Sequence, residues 1–200
     1  MPALNTFGGG SIRGYGGLFA GVGYDILTFL ASGNLTVTDN GTTSVTIAKT
    51  SGSASWDNHA YVATPYTAPV TCEFTKLADS SDNGASYAMI SWNADPTSDA
   101  SYSSLDWAIY PYATSNYQVY HNGSNLVSGG SWNSALRWYL VYATNGYIYH
   151  YNGSNLIYSV STGAGRTVYL DTSFYSVNST YSKFSNIRVI KKAWNGTSYV

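Results

Sequence analysis

Carboxylates, histidines and aromatic rings are the side chains here whose types and spacing could do chemistry. Hydrolysis of a sugar linkage needs two carboxylates facing one bond. The chain has one glutamate, Glu73, and its aspartates are scattered: Asp106 in SLDWAIY and Asp171 in YLDTSF each stand alone on a strand-like run. No catalytic residue is expected from this pattern. Serines are plentiful but none sits in a G-x-S-x-G elbow, and His59, His121 and His150 do not form an H-E-x-x-H or other tight metal spacing. The glycine run at 8–17, GGGSIRGYGG, lacks the Gly-Lys-Ser/Thr ending of a phosphate loop, and no lysine precedes Lys49. Asp and Asn in SSDNGAS (80–86) and NADPTSDAS (93–101) are oxygen ligands of the kind Ca²⁺ takes. Their spacing is not that of a regular calcium loop, and ordinary turn chemistry accounts for it. No metal or cofactor is expected.

Aromatic side chains offer more. Trp92, Trp107, Trp132 and Trp138, with Tyr102, Tyr110, Tyr112 and Tyr117, fall in the central part of the chain. Trp138 is in phase with Leu136 and Leu140 and is assigned to the core. Trp132, in the Gly/Ser stretch SGGSWNSA, is expected to be exposed. An exposed ring stacks on a sugar, or is buried against a neighbouring subunit. Tyrosines running along whole strands favour the subunit; Trp92, Tyr112 and Trp132 are the glycan-binding candidates.

The elements that position these rings are strands. Twenty tyrosines, twenty glycines and a single glutamate point away from helices. Alternating runs recur between turn residues: NLTVTD, SVTIA, PVTCEFTK, YAMISW, SLDWAIYPYA, YQVYH, LRWYLVYA, YIYHY, NLIYSV, RTVYLDTSFY and FSNIRVIKK. No segment between them is long enough for a βαβ crossover, so antiparallel sheets are expected. Cys72 alternates with Val70 and Phe74 and reads as a small core residue. The pentapeptide Asn-Gly-Ser-Asn-Leu occurs twice, in VYHNGSNLV (119–127) and IYHYNGSNLIY (148–158). Asn-Gly between alternating residues predicts two similar type I′ hairpins, with His121 and His150 at matching flanking positions.

The first residues behave differently. NTFGGGSIRGYGGLFAGVGYD (5–25) is too rich in glycine for a strand and too apolar for a plain linker. Ordering such a segment costs about 1–2 kcal/mol per residue, which only burial against something else offsets. Residues 1–24 are therefore read as a docking arm and 25–200 as the body. Phe7, Ile12, Tyr15, Leu18 and Phe19 would supply the burial. Arg13 would make a directed polar contact, and Gly8, Gly9 and Gly10 would allow close backbone approach. The alternative is that the arm covers an edge of its own body.

Composition narrows the partners. A net charge of −1 gives no field for nucleic acid or an anionic membrane, and 10% charged residues suit a surface that packs on other protein or lies outside a cell. The start, MPALNTF, has no basic and apolar regions of a secretory signal, and no apolar run reaches membrane-span length.

From NLTVTDNGTTSVTIAKTSGSASW through PVTCEFTK, ASYAMISW and ASYSSLDWAIY to the two hairpins and FSNIRVI, the order resembles the concanavalin A-like lectin/glucanase jelly roll, over about residues 34–190. FGGGSIRGYG (7–16) resembles an N-terminal signature of tailed-bacteriophage virion proteins that precedes a β-rich or lectin-like body. Together these resemblances imply an all-β, antiparallel two-sheet jelly-roll sandwich with a glycine-rich arm. They imply a non-enzymatic virion surface protein, a capsid decoration, head fibre or tail-associated component. The arm would bind other virion proteins, with homo-oligomers likewise expected. The alternative is a glycan-binding receptor-recognition module. Glucanases of this fold use paired carboxylates on one inner strand, a pairing this chain does not display.

Overall fold

The computed structural model describes residues 23–78, 86–112 and 116–200. The arm residues Phe7 to Phe19 and most of the 80–86 loop lie outside the described residues. The strands are β1 (Phe29–Ala31), β2 (Leu35–Thr38), β3 (Val45–Lys49), β4 (Asn58–Val62), β5 (Val70–Thr75), β6 (Ala88–Asn93) and β7 (Trp107–Tyr112). They continue with β8 (Asn116–His121), β9 (Ser124–Ser128), β10 (Trp138–Tyr142), β11 (Tyr147–Asn152), β12 (Asn155–Ser161), β13 (Tyr169–Phe174) and β14 (Lys183–Ile190). One 3₁₀ turn, Tyr102–Ser104, is the only helical element among the described residues.

Every strand pair is antiparallel, and the strands form two seven-stranded sheets. Sheet I runs β1-β4-β13-β6-β7-β8-β9 and sheet II runs β12-β11-β10-β5-β14-β3-β2. Period-two alternation gives each sheet one apolar face, and the two apolar faces close on each other as a sandwich. In sheet I the inward row is Ala60, Thr172, Ile90, Ile109, Val119 and Val127, paired strand to strand. In sheet II Val70, Cys72 and Phe74 are fully buried, as their alternation predicts. Phe74 lies near-parallel to Trp138 and edge-on to Phe184, joining three strands.

The two Asn-Gly-Ser-Asn-Leu segments do not make the same turn. In the first, His121 pairs with Ser124, and both Asn122 (φ 48°) and Gly123 (φ 72°) are left-handed, the type I′ pattern. In the second, Asn152 pairs with Asn155, so the loop is Gly153-Ser154, and Gly153 (φ 62°) is the one left-handed residue in it, as in type II′. His121 directly precedes its Asn-Gly whereas Tyr151 stands between His150 and the second Asn-Gly, and the register slips by one more, so the two histidines do not occupy the matching positions expected. His121 is half-buried, its Nδ1 2.8 Å from the Asp106 carbonyl, while His150 is fully buried in the core opposite Leu140.

Candidate functional site

The outer face of sheet I begins with a row of side chains on paired positions: Leu30, Tyr61, Asp171, Ser91, Ala108, Tyr120 and Asn125. Alternation puts Tyr110 and Tyr112 on this face too, because Trp107 and Ile109 of the same strand point inward. The 94–106 segment folds back over this face. Its base is closed by the Ala94 N–H donating to Asp106 Oδ2 at 2.7 Å, and its crest by Ser173 Oγ donating to the Ala100 carbonyl at 2.7 Å. Beneath this strap Asp171, Ser91 and Ser173 are buried.

On one side of the strap lies an aromatic cluster. Tyr110 is stacked on Tyr112 at 4.8 Å and 27°, and meets Trp56 and Tyr87 edge-on at 5.9 and 5.7 Å. Tyr102, from the strap, packs on Trp56 at 5.1 Å and on Tyr120 at 5.7 Å, and Tyr175 closes on Trp56 and Tyr87. Tyr110 is buried, whereas Trp56, Tyr87, Tyr102, Tyr112, Tyr120 and Tyr175 are half-buried. Edge and tilted contacts hold each ring through part of its surface and leave the remainder to solvent. On the other side of the strap is a groove of about 400 Å³ lined by Tyr61, Ala63, Ala94, Asp95, Pro96, Thr97 and Tyr169.

Electrostatics here follow from burial. Asp171 has its carboxyl pushed up to about 7 by desolvation, although Asn93 and the Thr172 N–H donate to it; nearby Asp95 and Asp99 add to the rise. Asp106 is raised for the same reason. His59 is lowered by burial, with Asp99 pulling the other way. Neither aspartate is a free surface carboxylate: Asp106 is tied to the strap, and Asp171 is sealed beneath it. Among the described residues no group of three or more His, Cys, Asp or Glu is placed to hold a metal ion.

Of the three predicted glycan-contacting rings, the structure brings Tyr112 alone to this cluster. Trp92 is corrected to a core residue: it points between the sheets, is fully buried, and donates Nε1 to the Leu140 carbonyl at 3.0 Å. Trp132 is also corrected. Its loop is pinned by Asn152, which accepts from the Asn133 N–H at 2.8 Å and donates back to the Asn133 carbonyl at 3.3 Å. That docking lays the Trp132 ring on Trp138 at 5.7 Å, 7% exposed. Trp138 is core as expected, but Leu136 is exposed. Trp56, Tyr87, Tyr102, Tyr120 and Tyr175 were not among the predicted residues. Tyr110 and Tyr112 carry a signal for this face, being out of phase with Trp107 and Ile109; the loop residues Trp56 and Tyr102 carry none.

No protein-family model and no curated protein sequence matches the chain. Its backbone is similar to that of the SPRY domain of human HERC1, with a TM-score of 0.54 and 17% identity over 84% of this chain and 96% of that one. It is similar to the exoplasmic/lumenal domain of VIP36 in a Ca²⁺/Man3GlcNAc-bound form, with a TM-score of 0.55 and 9% identity over 82% of this chain and 83% of that one. It is also similar to a prokaryotic beta-1,3-1,4-glucanase (lichenase) derived from a mouse hindgut metagenome, with a TM-score of 0.51 and 10% identity over 84% of this chain and 95% of that one. At such identities the likeness is one of fold. The chain folds as a concanavalin A-like jelly-roll sandwich, with a strapped, aromatic outer face on sheet I.

Proposed function

We propose that the protein is a carbohydrate-binding module that engages a glycan through the half-buried rings around Tyr110. One observation carries this reading: six rings from six separate segments converge on one sheet face and keep part of their surface open. A pyranose presents a flat C–H face that packs on such a ring, and rigid aromatic anchors lose little entropy on binding. Tyr102 and Tyr112 are the contacts of choice, and the hydrogen-bonded pair Tyr120–Gln118 (2.9 Å) supplies polar groups at the margin. A lectin-like fold is compatible with this use, but fold alone does not assign it. The test is a glycan array followed by titration of the best binder. Tyr102→Ala and Tyr112→Ala should each weaken binding about tenfold at unchanged fold. Saturable binding that both variants leave intact would refute the site.

The reading is of a binder and not an enzyme. Asp106 is tied to the strap and Asp171 is buried and bonded to Asn93, and a hydrolase needs two carboxylates open to substrate. Release of new reducing ends from a bound polysaccharide by the purified protein would overturn it.

A finer reading places this module on a tailed-bacteriophage particle, anchored to capsid or tail proteins by residues 1–24. It is supported by the resemblance of FGGGSIRGYG (7–16). Deleting residues 1–24 should leave glycan binding intact and abolish incorporation into particles; unaltered incorporation would contradict the anchor.

A further inference from the structure

A second aromatic surface lies on the opposite side of the molecule, on the outer face of sheet II. Along β11, Tyr147, Tyr149 and Tyr151 follow one another with ring centroids 6.0 and 6.3 Å apart and tilts of 30° and 32°. Tyr139 pairs with Tyr151 from β10 and carries Trp194 stacked on it at 4.3 Å and 10°. Trp194 belongs to the 191–200 segment, which crosses this face. Its backbone is tied to Thr71, whose Oγ1 donates to the Lys192 carbonyl at 2.7 Å and accepts from the Trp194 N–H at 3.1 Å. Trp194 Nε1 donates to the Gly153 carbonyl at 3.3 Å.

Between this segment and the tyrosine ladder runs a groove of about 390 Å³, formed chiefly by Tyr149, Tyr151, Trp194, Thr144, Asn145 and Asn195. Every side chain lining it is uncharged. Asn145 is held in place, its Nδ2 donating to Tyr149 Oη at 2.7 Å and its Oδ1 accepting from the Tyr147 N–H at 3.2 Å. Asn195 Oδ1 accepts from the Thr197 and Ser198 N–H groups at 3.0 and 2.9 Å, while its Nδ2 has no partner among the described residues.

We propose that this groove is a second saccharide-binding site, selective for a neutral pyranoside. The half-buried Tyr149 and Trp194 rings match the C–H face of a sugar, with the buried Tyr151 as the groove floor, and the rim amides and the Thr144 hydroxyl match its hydroxyls. A charged sugar finds no counter-charge there and pays for desolvation. A volume of this size suits one or two sugar residues. The groove shares no residue with the cluster around Tyr110, so the protein would be bivalent, with sites on opposite sheets, and able to bridge two glycans.

The experiment follows the Trp194 indole N–H by NMR in the full chain, its resonance assigned by loss in Trp194→Phe. The probes are the methyl glycosides of glucose, galactose, mannose and N-acetylglucosamine, with methyl glucuronoside as the charged comparison. At least one neutral glycoside should shift the resonance saturably, and the glucuronoside should not. Tyr149→Ala should weaken that binding about tenfold. Thr144→Trp, which fills the groove from its exposed rim without removing a packed ring, should abolish it. Tyr112→Ala should leave it unchanged, separating this site from the one on sheet I. No shift with any neutral glycoside, an equal shift with the glucuronoside, or a response insensitive to both groove variants would overturn the proposal. So would loss of the response in a folded Tyr112→Ala protein.

Discussion

The Asn93 amide donates to Asp171 Oδ2 at 2.8 Å across adjacent strands of sheet I, with both side chains buried beneath the 94–106 strap. The carboxyl thus sits where water cannot solvate its charge, and desolvation outweighs the hydrogen bonds that favour the ionised form. Folding retains a proton that the unfolded chain, with its carboxyl near 3.8, has already released. Stability contributed by this group is therefore present below about pH 3.8 and is lost as pH rises to about 7, a difference of about 4 kcal/mol at most. Asp171→Asn, isosteric with the protonated acid, should remove that slope and gain most over wild type near pH 8. Urea midpoints between pH 4 and 8 measure it.

His150 has the opposite sign. It is fully buried opposite Leu140; the backbones of Tyr158 and Trp107 lie near its ring, yet neither nitrogen completes a well-formed hydrogen bond. Burial pulls it down to about 4 from 6.5, so the unfolded state gains a proton first as pH falls. Stability from this group is complete above about 6.5 and is lost towards 4, by about 3 kcal/mol. From pH 4 to 6.5 the slopes of Asp171 and His150 largely cancel. His150→Leu should unmask the Asp171 slope, making the protein more stable as pH falls through this window, and Asp171→Asn should unmask the reverse. Parallel urea profiles for the two variants would contradict both assignments.

Trp132→Ala should act on stability and not on a sugar-contacting surface. Its ring is buried against Trp138, and removing a buried aromatic costs about 3–5 kcal/mol. Chemical denaturation reads the loss, while any glycan affinity of the folded fraction should be unchanged.

Glu73, the only glutamate, is buried on the outer face of sheet II. Its Oε1 meets Arg137 at 3.0 Å and Arg188 at 3.7 Å, and its Oε2 accepts from Tyr199 Oη at 2.6 Å. Glu73→Gln leaves two guanidinium groups without their counter-ion and should cost about 3 kcal/mol. Tyr199→Phe, which removes one charge-assisted hydrogen bond, should cost about 1.5–3 kcal/mol. Both should speed chymotryptic cleavage at Trp194, as followed by mass spectrometry, because the 191–200 segment loses its clasp.

The amino-acid order by itself determined the strands, the antiparallel sheets and much of which face each strand buries. A period of two sorts side chains without any knowledge of the partner sheet. Val70, Cys72 and Phe74 were legible in this way, and so in principle was Trp92, which is in phase with the buried Ala88 and Ile90. Asn122-Gly123 was legible as a type I′ turn because both residues tolerate positive φ; its second copy slipped by one, since pairing along β11 and β12 decides which two residues form the loop. Only the tertiary structure decided which rings meet and which are covered. Trp132 is buried by an asparagine 20 positions away, and Trp56 and Tyr102 join Tyr110 because two loops fold onto the same sheet. Whether a loop ring ends in solvent or in a cluster depends on contacts distant in sequence, and local alternation carries no information about them.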